Sequence, residues 1–133
     1  MLELKAKNQS GFLRINDSRV IWAMSIMERH MSAPLSITAI ASAVGVNTRQ
    51  LARLFARNLH DSPSGFYRKL RLWRVNWLLK HSTKSSAEIA AECGFVDGAH
   101  LSRRYKEMFG LPPGQDRMCV ARTGLGLGGG FPG

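Results

Sequence analysis

The sequence is short of several things that would define its chemistry. It has two cysteines, Cys93 and Cys119, in 133 residues, which excludes a disulfide framework and a zinc site with four cysteine ligands. Its apolar runs are only a few residues long, as at Trp77-Leu78-Leu79, far from the roughly 20 that a membrane span needs. Met1–Ser10 is polar and has no apolar stretch of the kind found in a secretory leader. No segment alternates as a strand would. The four histidines, His30, His60, His81 and His100, have no metal-ligand spacing. No Ser/His/Asp arrangement or carboxylate pair stands out, and the glycines after Gly124 precede no helix, so they cannot form a phosphate loop. The expectation is a non-enzyme with no catalytic residue, metal or cofactor, at home in the cytoplasm. Acidic residues are scarce too: nine against 19 Lys+Arg, for a net charge of +10.

That imbalance is the first positive sign. Hydrophobic residues make up 44%, enough for a globular core. A small basic domain suggests a polyanionic partner, usually nucleic acid and less often anionic lipid. Arg49, Arg53, Arg57, Arg68, Lys69, Arg71, Arg74 and Lys80 cluster in one stretch with a single acid, Asp61. The bland alternative is a solvated helix surface.

Helical spacing and capping residues predict an all-α fold of about seven helices. Asn16-Asp17-Ser18 can cap a helix from about Arg19 to His30, with Val20, Ile21, Met24, Met27 and Met31 recurring at helical spacing and Trp22 counted with the core. Ser36 caps Ile37–Val44, Gly45 ends it, and Asn47 caps Thr48–Asn58. Pro63 restarts the chain for a helix of about Ser64–His81. Ser85-Ser86 caps Ala87–Cys93, Gly94 ends it, and Asp97 caps Gly98–Phe109. A short turn of helix is expected at Gly114–Arg117. Residues 1–18 read as a lead-in or linker and 119–133 as a Gly-rich, disordered tail.

Two stretches echo each other. Ile40-Ala41 and Gly45-Val46 return as Ile89-Ala90 and Gly94-Phe95, shifted by 49. Leu51, Arg53, Phe55 and Pro63 return as Leu101, Arg103, Tyr105 and Pro113, shifted by 50. Each copy is a short helix, a glycine turn and a longer helix, the plan of a helix-turn-helix. The two copies span about 36–59 and 86–109, joined by a long connecting helix at about 63–81.

These residues resemble the DNA-binding domain of the AraC/XylS family of bacterial transcriptional regulators. The resemblance is carried by Pro34-Leu35-Ser36, Ile40-Ala41-x-x-x-Gly45-Val46, Arg49-x-Leu51-x-Arg53-x-Phe55, Arg71-Leu72 and Glu88-Ile89-Ala90-x-x-x-Gly94-Phe95. It continues in Leu101-Ser102-Arg103-x-Tyr105-Lys106-x-x-Phe109-Gly110-x-Pro112-Pro113 and covers about 19–118. Three places depart from the family pattern. Asp116-Arg117 replaces the more common Tyr-Arg and resembles the GlxA-like branch, whose members carry an N-terminal PfpI-like domain. Val75 stands where a small Ala is common, and Trp73 and Trp77 stand where polar residues are usual.

The resemblance implies sequence-specific binding to double-stranded DNA in the bacterial nucleoid, with the connecting helix holding two reading heads apart. Successive major-groove faces lie about 34 Å apart, so one chain would read two segments of an asymmetric site. On the first long helix the outer stripe is Arg49, Ala52, Arg53, Ala56 and Arg57, and alanines between arginines let a helix approach base edges. On the second it is Ala99, Ser102, Arg103 and Lys106. Arg49, Ala52, Arg53, Ala99, His100, Ser102 and Arg103 are the expected base contacts. Thr48, Arg57, Arg68 and Lys106 are the expected phosphate contacts. Trp73 and Trp77, four apart on the connecting helix, either enlarge the core or dock a partner, a missing sensor/dimerisation domain or RNA polymerase. Two rivals remain: a basic module for RNA or lipid, and an adaptor that recruits another protein. A standalone regulator and the C-terminal part of a longer ligand-responsive one both fit, and the second is favoured.

Overall fold

Asp17, Ser36, Asn47, Ser85 and Asp97 each begin a helix by accepting an orphan backbone N–H, and the chain between them is almost entirely helical. The computed structural model describes residues 16–123, with side chains through Met118. Among the described residues there are seven helices and no strand: α1 (Ser18–Arg29), α2 (Ile37–Ala43), α3 (Thr48–Leu59), α4 (Pro63–His81), α5 (Ser86–Glu92), α6 (Gly98–Phe109) and α7 (Pro113–Thr123). The first six agree with expectation to within a residue. The seventh does not: a short turn was expected, and the helix instead runs on to Thr123. Pro113 suits a first helical turn, and no glycine or proline follows Gly114 until Gly124. The lead-in before residue 16 and the glycine-rich end from Gly124 lie outside the described residues.

The chain divides into two compact units, one built on residues up to His30 with Pro34–Arg68, the other on Met31–Ala33 with residues from Lys69 onward. Helix α4 gives its first turns to one unit and the remainder to the other. In the first unit, Val20, Ala23, Met24, Ile26 and Met27 of α1 are buried, with Ile40, Ala41 and Val44 from α2 and its cap, Leu51, Leu54 and Phe55 of α3, and Phe66 and Tyr67 of α4. In the second, Leu72, Val75, Leu78 and Leu79 of α4 form one core with Ile89, Ala90, Cys93, Phe95, Leu101 and Tyr105.

Both short helices end in the same hydrogen-bonded turn. Val46 N–H donates to Ala41 O at 3.0 Å and Gly45 N–H to Ser42 O at 3.1 Å. Phe95 N–H donates to Ala90 O at 2.9 Å and Gly94 N–H to Ala91 O at 3.4 Å. This 6→1 and 5→2 pattern needs a left-handed residue, and Gly45 (φ +82) and Gly94 (φ +77) supply it without a Cβ penalty. Arg71 reinforces the second turn. Its guanidinium donates to Gly94 O at 2.8 Å and lies 4.8 Å from the Phe95 ring centroid. This arginine, part of the basic cluster in the sequence, is therefore tied to the fold.

The repeat extends beyond the two helix-turn-helices. The buried set of α1, Val20, Ala23, Met24, Ile26 and Met27, is matched at an offset of 52 by Leu72, Val75, Asn76, Leu78 and Leu79 in α4. The beginning of α7 matches the beginning of α4 at an offset of 50. Position 67 and position 117 do the same job in the two units. Tyr67 Oη donates to His30 O, closing the end of α1, and accepts from Leu35 N–H at 3.2 Å. Arg117 donates to Leu79 O at 3.1 Å, Ser82 O at 3.1 Å and Lys84 O at 2.5 Å, closing the end of α4.

Trp22 is not in the core: it is 51% exposed. It lies two residues, roughly 200° of helix turn, from both Val20 and Met24. Ala23 and Ile26 are buried instead, and Ile21 is only half-buried.

His60 caps α3 in the left-handed region (φ 56, ψ 38), where the second unit has Gly110. His60→Gly should raise the unfolding free energy in a urea titration by about 0.5–1 kcal/mol; a loss would show that the imidazole repays its strain. Burial pushes the Cys93 thiol up to about 11. At pH 8 its alkylation in the folded protein should be at least about a hundredfold slower than in the denatured chain. The raised value also means that stability is intact below the free-thiol range, near pH 8.5, and declines as pH rises toward 11, because the unfolded chain ionises first.

Candidate nucleic-acid interface

Leu51, Leu54 and Phe55 are buried, and they set which face of α3 points into its unit. The opposite face is then set by helical geometry. Arg49, Ala52, Arg53, Ala56 and Arg57 are all exposed along it, with Thr48 exposed at its first residue. A capping box holds that end: Gln50 N–H donates to Asn47 Oδ1 at 2.8 Å and Asn47 N–H to Gln50 Oε1 at 3.0 Å.

Helix α6 is arranged alike. Leu101 and Tyr105 are buried; Ala99, Arg103 and Lys106 are exposed and Ser102 is half-buried. Asp97 caps it, accepting His100 N–H at 2.8 Å. The His100 ring is half-buried, 5.6 Å from the Phe95 ring, and its Nδ1 is buried without a hydrogen-bond partner among the described residues. Any contact of His100 with a ligand has to go through the other edge of the ring.

Electrostatically the two faces are open. Among the described residues no acidic side chain forms an ion pair with Arg49, Arg53, Arg57, Arg103 or Lys106; the one acid on α6, Glu107, pairs with Arg104 at 3.3 Å. Unpaired guanidiniums on a helix with small neighbours are free to fork onto paired acceptors. Each stripe belongs to a single helix of a single unit. Arg68, on α4, is half-buried.

The tryptophans of α4 are not a buried pair. Trp77 is 41% exposed, stacked on His81 with centroids 4.7 Å apart, and Arg74 Cζ lies 5.9 Å from its ring. Trp73 is half-buried. Among the described residues no group of His, Cys, Asp and Glu could hold a metal ion, and no helix is long and apolar enough to cross a membrane.

The sequence marks Tyr105 and Asp116 but not Asn76, nor the link among the three. Asn76 Nδ2 donates to Tyr105 Oη at 2.8 Å, and Tyr105 Oη donates to Asp116 Oδ2 at 2.5 Å. Burial, then the bond to the Asp116 carboxylate, pushes the Tyr105 phenol far above its usual range, so it remains a donor. The available signal was Asn76 at an inward register between Leu72, Val75 and Leu79 of α4.

A family model described as "Helix-turn-helix domain" matches residues 40–118. The chain is 42% identical over 105 residues to the transcriptional regulator GbdR of Pseudomonas aeruginosa, covering 79% of this chain and 29% of that protein. It is 35% identical over 102 residues to the transcriptional regulator GlxA of Rhizobium meliloti, covering 77% and 32%. The chain thus spans about three-tenths of the length of these relatives. The crystal structure of a Chromobacterium violaceum transcriptional regulator, of the AraC-type DNA-binding domain-containing proteins, superposes with a TM-score of 0.75 at 40% identity, over 79% of this chain and 94% of that one. Two glycine-turned helix pairs, the family match across both and these likenesses lead to one statement: the chain belongs to the AraC family of helix-turn-helix domains.

Proposed function

We propose that this chain is the DNA-binding part of a longer, ligand-responsive transcriptional regulator that works in the bacterial cytoplasm on the nucleoid. It binds duplex DNA sequence-specifically, laying α3 and α6 into successive major-groove segments of one asymmetric site. The observation that carries this reading is the exposed alanine–arginine stripe that occurs twice, each time on the second helix of a glycine-turned pair and each time free of acidic partners. Ala52 and Ala99 beside those arginines keep each edge thin enough for the backbone to approach base edges. A binder of lipid headgroups or RNA backbone needs charge but not a thin edge.

Arg53 and Arg103 occupy the same position of the two stripes. Each donates in a fork to guanine O6 and N7, the geometry that a guanidinium matches best. Arg49 reads a base one turn earlier, and Ala52, Ala99 and Ser102 let the backbone approach or touch base edges. His100 reads a base through its outer edge. Thr48, Arg57, Arg68 and Lys106 hold phosphates and set the register without reading sequence. The N-terminal N–H groups of α3 and α6 add to that hold. The stripes assign no catalytic step to the chain. The missing N-terminal part supplies sensing and dimerisation. The exposed Trp77 beside Arg74 is a candidate contact for that part or for RNA polymerase, with Trp73 next to it.

Arg53→Ala and Arg103→Ala should each weaken binding to the selected site by about 1–3 kcal/mol and relax selectivity at separate base pairs. Equal weakening on selected and random duplexes would make these residues phosphate contacts instead. For the parent chain, log K should fall with log salt by about 0.9 per phosphate neutralised. A flat salt dependence would point to a protein partner in place of DNA.

A further inference from the structure

The two units share one plan, yet at three matched positions they differ in kind. In the first unit these positions are Met24, Phe55 and Phe66, all buried and apolar, with the two phenyl rings meeting edge to face at 5.9 Å. In the second they are Asn76, Tyr105 and Asp116, joined in the hydrogen-bonded chain described above. Asn76 is 1% exposed and Tyr105 0%. Lys80 Nζ donates to Asn76 Oδ1 at 3.5 Å. Neither pairing works by halves. A lone Asp116 opposite Phe, or a lone Asn76 beneath Met, would be a buried polar group without a mate.

The two trios constrain a helix differently. Apolar packing is non-directional, so α3 can roll or slide a little against Met24 and Phe66 at small cost. A hydrogen bond keeps its strength only over a narrow range of distance and angle. Tyr105 is bonded on one side by α4 and on the other by α7, and it stands two residues from Arg103 on α6. Rotating α6 by a few degrees would stretch one of those bonds and leave buried groups unmatched.

Resting on the DNA-reading function above, we propose that Asn76 and Asp116 are positioning residues: through Tyr105 they fix the roll of α6 and thereby set the base selectivity of the Arg103 face, a constraint that α3 does not have. The two halves of the site are read by heads of different stiffness. The half under α6 should discriminate by geometry that the polar trio enforces, and the half under α3 should tolerate changes in its own trio's packing.

The test uses the full chain and duplexes carrying single base-pair changes in one half of the selected site. The triple variant Asn76→Met/Tyr105→Phe/Asp116→Phe installs the first unit's set. Tyr105→Phe removes one oxygen and keeps the ring. Asp116→Asn keeps an acceptor. Anisotropy titrations give the ratio of affinities for matched and mismatched duplexes, in which the charge change at position 116 cancels. The triple variant and Tyr105→Phe should each lose about tenfold discrimination in the α6 half, within the range of one bidentate base contact, and none in the α3 half. Asp116→Asn should keep the parent ratio in both halves. Parent-like ratios in Tyr105→Phe, with thermal melting showing that it is folded, overturn the proposal even where the triple variant fails to fold. Equal loss in both halves also overturns it, since that marks general destabilisation. A parent chain that does not discriminate between duplexes at all removes the DNA-reading function itself, and the positioning role with it.

Discussion

One turn, made twice, is what the rest of the structure depends on. The short helices α2 and α5 each end on a glycine held at positive φ, with the next residue's N–H reaching back five positions. That turn sets the direction in which α3 and α6 leave. Once α3 and α6 are launched, their inward residues, Leu51 and Phe55 in one and Leu101 and Tyr105 in the other, decide by burial which face points into the core. The outward stripe is thereby turned away from the core, to within the small roll that apolar packing allows α3. Its arginines point away from the core because leucine and an aromatic ring occupy the opposite side at helical spacing.

A second economy lies in the long helix. Helix α4 supplies Phe66 and Tyr67 to one unit's core and Leu72, Val75, Leu78 and Leu79 to the other's. One helix therefore acts as the last element of the first unit and the first of the second. This explains why it carries more apolar residues than a single buried face holds. It also explains why α7 exists as a full helix, since α7 stands where the first turns of α4 stand in the preceding copy.

The helices and their caps were legible in the sequence because each boundary is chemically marked. Ser36, Asn47, Ser85 and Asp97 are residues whose side chains accept backbone N–H groups, and Gly45 and Gly94 mark the turns. The inner faces of α3 and α6 were legible because leucine and aromatic residues recur at one helical face. Trp22 departs from expectation because an apolar side chain does not by itself make a position inward: it stands off the buried face of Val20 and Met24. The chain between α1 and α2 is three residues longer than that between α4 and α5, so the offset changes from 52 to 49 and hides the match of α1 with α4. The polar trio was invisible for another reason. Periodicity detects apolar residues that face inward, and Asn76 faces inward without being apolar. Only the placement of Tyr105 between Asn76 and Asp116 shows why such a residue is stable there.

In the proposed function two similarly built heads read one stretch of DNA. Selection of binding sites from random duplex DNA by this chain tests it most directly. The expected consensus is asymmetric and has two specified segments about 10 base pairs apart, centre to centre. A consensus with one specified segment, or a bound pool indistinguishable from the input, would contradict it.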